Sequence, residues 1–329
     1  MNRKGSEYYI KGIKAGDKYI LGKAITLMES ELGVDRLLSV EILRNLSAKS
    51  SNSFRIGITG VPGVGKSTFI EAFGGYLISI GKKVAVLAVD PSSEKTGGSI
   101  LGDKTRMSTL SNNELAFIRP SPTKNTLGGV SSATRENILL CEAAGYDVII
   151  IETVGVGQSE THVRNMVDFF LLLMLPGAGD ELQGIKKGIM EMADGLIINK
   201  ADGSNLIMAK QAQSDYKNAL HMFPPTESGW IPKVDICSSL EKTGLKGVWD
   251  IIISHRELLD QKDLLNDMRN NQNVTWFREQ ISQSLLSHFF ADENNLQLKR
   301  QLEKEISQGK IGPKESLSLL MEKAFAIGD

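Results

Sequence analysis

The chain has 329 residues, 41% of them hydrophobic and 23% charged, with 38 basic and 39 acidic side chains and a net charge of −1. That length predicts two domains, or one large domain with additions. The charge balance excludes a protein whose main task is to coat nucleic acid or an anionic membrane, because both rest on an excess of Lys and Arg.

In chain order, residues 8–48 read as helical, with Ile20, Leu21, Ala24, Ile25, Leu27, Met28 and Leu32 at helical spacing. The polar run Ser47–Ser53 is a linker. From Phe54 the texture changes to short apolar runs alternating with helical stretches. The predicted strands are Arg55–Thr59, Lys83–Asp90, Leu115–Arg119, Asp147–Glu152, Asp168–Leu175, Gly195–Asn199 and Lys233–Cys237. Most are continuously apolar, as strands buried on both faces of a parallel sheet must be. Helices are predicted between them at Lys66–Ile80, Ala133–Ala144, Ile185–Met192, Ser204–Leu220 and Leu245–Leu259. After about Glu257 only helices follow. Gln308–Pro313 breaks the pattern, and a last helix spans Ser316–Ala326. The fold class expected is α/β, a mostly parallel, doubly wound sheet with helical extensions at both ends. The expected domains are 1–53, a helical extension; 54–256, the α/β domain; and 257–329, a helical arm.

Cys141 and Cys237 are too few for a disulfide framework, and none of the four histidines stands at ligand spacing from a cysteine. No run approaches the ~18 apolar residues of a membrane span, and the N-terminus has no signal-peptide core. The expectation is a cytoplasmic protein with reduced thiols, no nucleic-acid partner and no membrane association.

Gly60-Val61-Pro62-Gly63-Val64-Gly65-Lys66-Ser67-Thr68 matches G-x-x-x-x-G-K-[ST], with a strand leading in and a helix leading out. Backbone N–H groups of such a loop, and the helix N-terminus behind it, face phosphate oxygens. Lys66 would place its charge near the β- and γ-phosphates, and Ser67 would offer a hydroxyl to Mg²⁺. Leu196–Ile198 is a strand that runs into Asn199-Lys200-Ala201-Asp202. A carboxylate at Asp202 can accept from both N1–H and the exocyclic amine of guanine, and adenine offers no such pair. Asn199 would brace the loop, and Lys200 would pack along the base. Cys237-Ser238-Ser239, also at a strand end, are candidates to offer N–H groups to guanine O6.

Acidic side chains stand where strands meet loops: Asp90 and Glu152, with Asp103 in a Gly-rich loop. Each is a candidate ligand of Mg²⁺ beside Ser67, since that ion takes few protein oxygens. Glu152-x-x-Gly155 stands where many GTPases carry D-x-x-G, so Glu152 could bind the metal or act on the nucleophile, and Gly155 N–H could sense the γ-phosphate. Gln158 fits a water-positioning residue or a plain polar loop residue. Arg106 fits a charge neutraliser at the phosphates or a solvated arginine at a helix start.

Taken with Val84–Ser93, Thr96–Met107, Glu152–Glu160 and Leu175–Lys186, the Gly60–Thr68 block resembles the MeaB/ArgK-type GTPases, the chaperones of adenosylcobalamin-dependent methylmalonyl-CoA mutase. The resemblance runs from about residue 10 to the C-terminus. It implies a homodimeric, Mg²⁺-dependent GTPase that binds GTP and GDP, gates cofactor loading and protects the mutase. Carried over, Lys66, Asp103 and Glu152 are catalytic, and Ser67, Asp90, Asp103 and Glu152 are the metal set. Asp202 reads guanine. The loop Pro176–Lys187 is a further switch, in which Asp180, Gln183 and Lys186, with Arg106, couple nucleotide state to the partner. Two competing readings are a metal-insertion GTPase, for which a soft-ligand cluster is missing, and an amino-acid transport-associated NTPase.

Overall fold

Seven segments form the spine of the molecule, and the central ones are apolar enough to be buried on two sides at once. In the computed structural model, which describes residues 3–30, 32–46, 52–90, 107–122, 129–153, 159–177, 187–224, 226 and 228–324, they pair as one sheet. The strands are β1 (Phe54–Gly60), β2 (Val84–Asp90), β3 (Ala116–Pro122), β4 (Val148–Thr153), β5 (Phe169–Met174), β6 (Gly195–Ile198) and β7 (Lys233–Ile236). Their order is β3-β2-β4-β1-β5-β6-β7, and every pairing is parallel. All seven predicted strands are present.

Alternate residues of these strands serve two cores. Ile56, Ile58, Val86, Ile150 and Leu171 face α4 (Lys66–Ser79), α5 (Ser108–Ser111) and α10 (Leu245–Gln261), through Phe69, Phe73, Leu110, Val248 and Ile252. Ala85, Leu87, Ile149, Ile151 and Phe170 face the other side. There they meet α6 (Gly129–Ala143), α7 (Ser159–Arg164) and the N-terminal helices α1 (Ser6–Lys14), α2 (Lys18–Met28) and α3 (Gly33–Leu46). β5–β7 are completed by α8 (Lys187–Met192) and α9 (Asn205–Leu220), with Tyr216 fully buried.

The N-terminal stretch read as one helical region is three helices. Gly16 adopts a left-handed φ of 74°, and Asp17 caps α2 by accepting from the N–H groups of Tyr19 and Ile20. The turn folds α2 back, so that Ile13, Leu21 and Ile25 are all buried over the sheet.

The chain divides into two compact units, Met1–Gln272 and Asn273–Asp329. The boundary falls within α11 (Leu264–Phe289). In the second unit, α12 (Glu293–Ser307) is capped by Asp292 and turns at Gly309, φ 68°, into α13 (Pro313–Ala324). The last helix starts three residues before the predicted Ser316, because Pro313 is suited to a first helical position. Within this unit Phe277, Leu285, Leu286 and Leu317 are exposed. No helix among the described residues is long and apolar enough to cross a membrane.

Candidate functional site

Parallel sheets gather ligands at the carboxyl ends of their strands. Here those ends carry the residues singled out from the sequence. β1 delivers Gly60 to a place where no side chain fits: a Cβ would come 2.5 Å from the carbonyl oxygen of Leu173. Val61, Pro62 and Gly63 turn the chain, and fully buried Val64 anchors the turn. Gly65 is left-handed at φ 91° and caps α4, whose first residues are Lys66, Ser67 and Thr68. The loop therefore ends with the free N–H groups of a helix start facing outward.

The Lys66 ammonium donates to Gly60 O at 2.9 Å, folded over its own loop. Burial lowers its pKa, and the charges of Glu152 and Glu160 oppose that shift. Ser67 Oγ donates to Glu152 Oε1 at 3.1 Å. Glu152 is buried near the end of β4, and the next residue, Thr153, donates to Thr59 Oγ1 at 2.9 Å, locking the ends of β1 and β4 together. Asp90 closes β2, the neighbour of β4. Hydroxyl and carboxylate oxygens at this spacing are hard donors of the kind Mg²⁺ accepts, and that ion needs only one or two from protein when phosphate supplies the rest. The residues present fit the ion.

The neighbouring part of the sheet edge, where a base was expected, is built from β6 and β7. Asn199 is buried, and its amide spans two loops. Its Nδ2 donates to Val64 O at 2.9 Å, and its Oδ1 accepts from Ser239 N at 3.2 Å and Ser239 Oγ at 2.7 Å. Lys200 is exposed, with φ 59°, a backbone state uncommon for a non-glycine residue. Asp202 is half-buried and is oriented by Ser238, whose Oγ donates to Asp202 Oδ2 at 2.7 Å and accepts from Glu241 N–H at 3.0 Å. Cys237 is part of the packing, and burial pushes its thiol up to about 12.

The structure thus brings together Gly60–Thr68, Glu152, Asn199 and Ser239 on one side, and Asp202 and Ser238 beside them. Asp103, Arg106, Gly155, Gln158, Asp180, Gln183 and Lys186 lie outside the described residues. Ser238 was expected only as a backbone donor, and its hydroxyl bond to Asp202 was not anticipated. Glu160 was also missed as an individual residue. It is 1% exposed in the first turn of α7, and its charge acts on Lys66. The available signal was its place as the last residue of the Glu152–Glu160 block, at a helix start.

Comparison with known proteins places this geometry in context. Residues 21–294 match the family model described as methylmalonyl Co-A mutase-associated GTPase MeaB. Over 313 residues the chain is 48% identical to the GTPase ArgK of Escherichia coli K12, covering 95% of each chain. It is 42% identical to the mouse mitochondrial protein named methylmalonic aciduria type A homolog, covering 95% of this chain and 78% of that one. Among solved structures, the LAO/AO transport system kinase superposes with a TM-score of 0.77 at 40% identity over 98% of both chains.

Proposed function

This chain belongs to the family of methylmalonyl-CoA mutase-associated GTPases MeaB, and from that premise we propose that it hydrolyses GTP in order to gate adenosylcobalamin loading into a client acyl-CoA mutase. The observation that carries the reading is the Asn199 bridge between the phosphate loop and the Ser239 loop. It joins a phosphate cradle to a base pocket whose carboxylate, Asp202, is held by Ser238.

In this reading the backbone of Gly60–Thr68 wraps the phosphates, and Asp202 selects guanine by accepting two hydrogen bonds. Cys237, Ser238 and Ser239 border the base, and Lys200 packs along it. Lys66 leaves Gly60 O for the β- and γ-phosphates, where no other charge of the loop can replace it. Ser67, with Asp90, Asp103 and Glu152, would hold Mg²⁺, which when bound supplies positive charge at the phosphate oxygens. Lys66, Asp103 and Glu152 are assigned to hydrolysis, Gly155 to γ-phosphate sensing, and Arg106, Asp180, Gln183 and Lys186 to coupling with the mutase. Methylmalonyl-CoA mutase is the client the family's description favours.

The proposed division of labour is 1–53 as an extension, 54–256 as the GTPase domain and 257–329 as an arm that forms a homodimer. The arm's exposed Phe277, Leu285, Leu286 and Leu317 supply an apolar surface for a second copy. The buried thiols of Cys141 and Cys237 suit a reducing cytoplasm. Calorimetry with GTP and ATP tests the base assignment: GTP is expected to bind far more tightly, and equal affinities would overturn it.

A further inference from the structure

The short helix α5 has four residues and no cap of its own: buried Met107, which precedes it, offers no side-chain acceptor to its N–H groups. The acceptor comes instead from 38 residues earlier in the chain. Glu71 of α4 accepts from Thr109 N–H at 2.9 Å and from Leu110 N–H at 3.1 and 3.2 Å, using both carboxylate oxygens. Further along α4, Gly74 makes room for the same helix, since a Cβ there would come 2.8 Å from the Leu110 side chain. Just beyond α5, the Asn113 carbonyl accepts from Lys18 Nζ of α2 at 2.9 Å. A cap from a neighbouring residue only satisfies N–H groups, whereas a cap from another element also fixes where the helix starts.

Both partners in this contact adjoin the phosphate site along the chain. Glu71 follows Ser67 by one helical turn, so the two side chains leave the same face of α4, about 6 Å apart along its axis. Met107, packed into the sheet core, directly follows Arg106 and stands four residues after Asp103. Four residues span at most about 14 Å even when fully extended. A carboxylate at Asp103 therefore serves an ion beside Ser67 only if α5 starts close to α4. Glu71 holds that start through hydrogen bonds to a carboxylate, which are stronger than neutral ones. The function described so far gives Glu71 no role.

We propose that Glu71 is a positioning residue of the Mg²⁺ site: by pinning the start of α5 to α4, it sets the point from which the chain runs back to Asp103. The inference rests on the reading of Asp103 as a ligand of the ion beside Ser67. Glu71 itself touches neither the nucleotide nor the metal. Removing its carboxylate frees two N–H groups at the start of α5, while buried Leu110 and the Lys18 bond keep the rest of that segment in place. The loss is felt at Asp103 and not at the base, because Asp202 and Ser238 follow β6 and β7 at the opposite end of the sheet from β2 and β3. Support of this kind, one residue behind the ligands, commonly governs metal affinity.

The test titrates Mn²⁺, in place of Mg²⁺, into the full chain saturated with a non-hydrolysable GTP analogue, with free Mn²⁺ read by electron paramagnetic resonance. Asp103→Asn and Glu71→Ala should each weaken Mn²⁺ binding about ten-fold, the lower end of what losing such a support costs. The double variant should be no weaker than Asp103→Asn alone, because Glu71 acts through Asp103. Glu71→Gln keeps one acceptor oxygen for Thr109 and Leu110 and should retain most of the affinity. Should Glu71→Ala fail to fold, Glu71→Asp, which keeps the charge but is one methylene short, carries the test in the same direction. Wild-type Mn²⁺ affinity in the folded Glu71 variant would overturn the proposal, as would losses that simply multiply in the double variant. Unchanged affinity in Asp103→Asn would instead overturn the reading of Asp103 as a ligand, and the proposal with it.

Discussion

Asp202→Asn tests the contact proposed to set base preference. The Asp202 carboxylate is half-buried, with Oδ2 accepting from Ser238 Oγ at 2.7 Å, while Ser238 already accepts from Glu241 N–H. An asparagine at this position has one acceptor and one donor end. If the NH₂ group faces the base, it meets the guanine amine donor to donor. If it faces Ser238, that hydroxyl must turn to accept a second hydrogen bond, and the base is left one acceptor for two donors. Either arrangement leaves one polar group poorly paired in a desolvated site, a cost of ~1–3 kcal/mol, or roughly 5- to 150-fold in affinity. Xanthine carries a carbonyl where guanine carries the amine, so xanthosine triphosphate should lose much less affinity or gain some. Titration calorimetry with GTP, ATP and xanthosine triphosphate measures all three. GTP affinity within two-fold of wild type, with no gain for the xanthine nucleotide, would refute the assignment of Asp202 as the guanine reader.

Lys66→Ala should abolish turnover at saturating GTP and Mg²⁺ in a phosphate-release assay, and full activity would place the chemistry elsewhere. His255 is buried beside Phe169 and Trp230, and burial lowers its pKa below 6.5, with Asp194 opposing the shift and Arg164 adding to it. The unfolded chain therefore takes up a proton that the folded chain refuses, and stability falls as pH drops below about 6.5, by at most ~1.4 kcal/mol per pH unit for one proton. Glu136, whose carboxyl burial holds up to about 7, has the opposite slope, so the pH dependence is read as the difference between wild type and His255→Gln. The change in urea midpoint from pH 7.5 to pH 5.5 should be more unfavourable in wild type than in the variant, and an equal change in both would contradict the sign. Light scattering at tens of micromolar should find a dimer in wild type and a monomer in Phe277→Glu/Leu285→Glu, and a monomeric wild type would end the arm proposal.

The sheet was legible because its central strands are buried on both faces and so read as unbroken apolar runs, as in Val148–Ile151 and Phe169–Met174. The phosphate loop was legible because its glycines answer to local geometry, as at Gly60 and Gly65. Side-chain pairings across long separations were not legible. Asp168 and Arg269 stand 101 residues apart, and neither lies in a motif. The Ser238 bond to Asp202 was hidden for a related reason: it depends on β6 and β7 being neighbours, and Cys237-Ser238-Ser239 is not distinctive as text. The break at Gly16-Asp17 did carry a local signal, a glycine followed by a capping aspartate, but the apolar periodicity on either side obscured it.

GTP hydrolysis by this chain is proposed to answer to a B12-dependent acyl-CoA mutase. Its most direct test is steady-state GTPase activity with and without saturating methylmalonyl-CoA mutase, in wild type and in Lys186→Ala. The mutase is expected to accelerate wild-type hydrolysis, and Lys186→Ala to keep GTP affinity within a few-fold while losing much of the acceleration. A rate that the mutase leaves unchanged in wild type would contradict it.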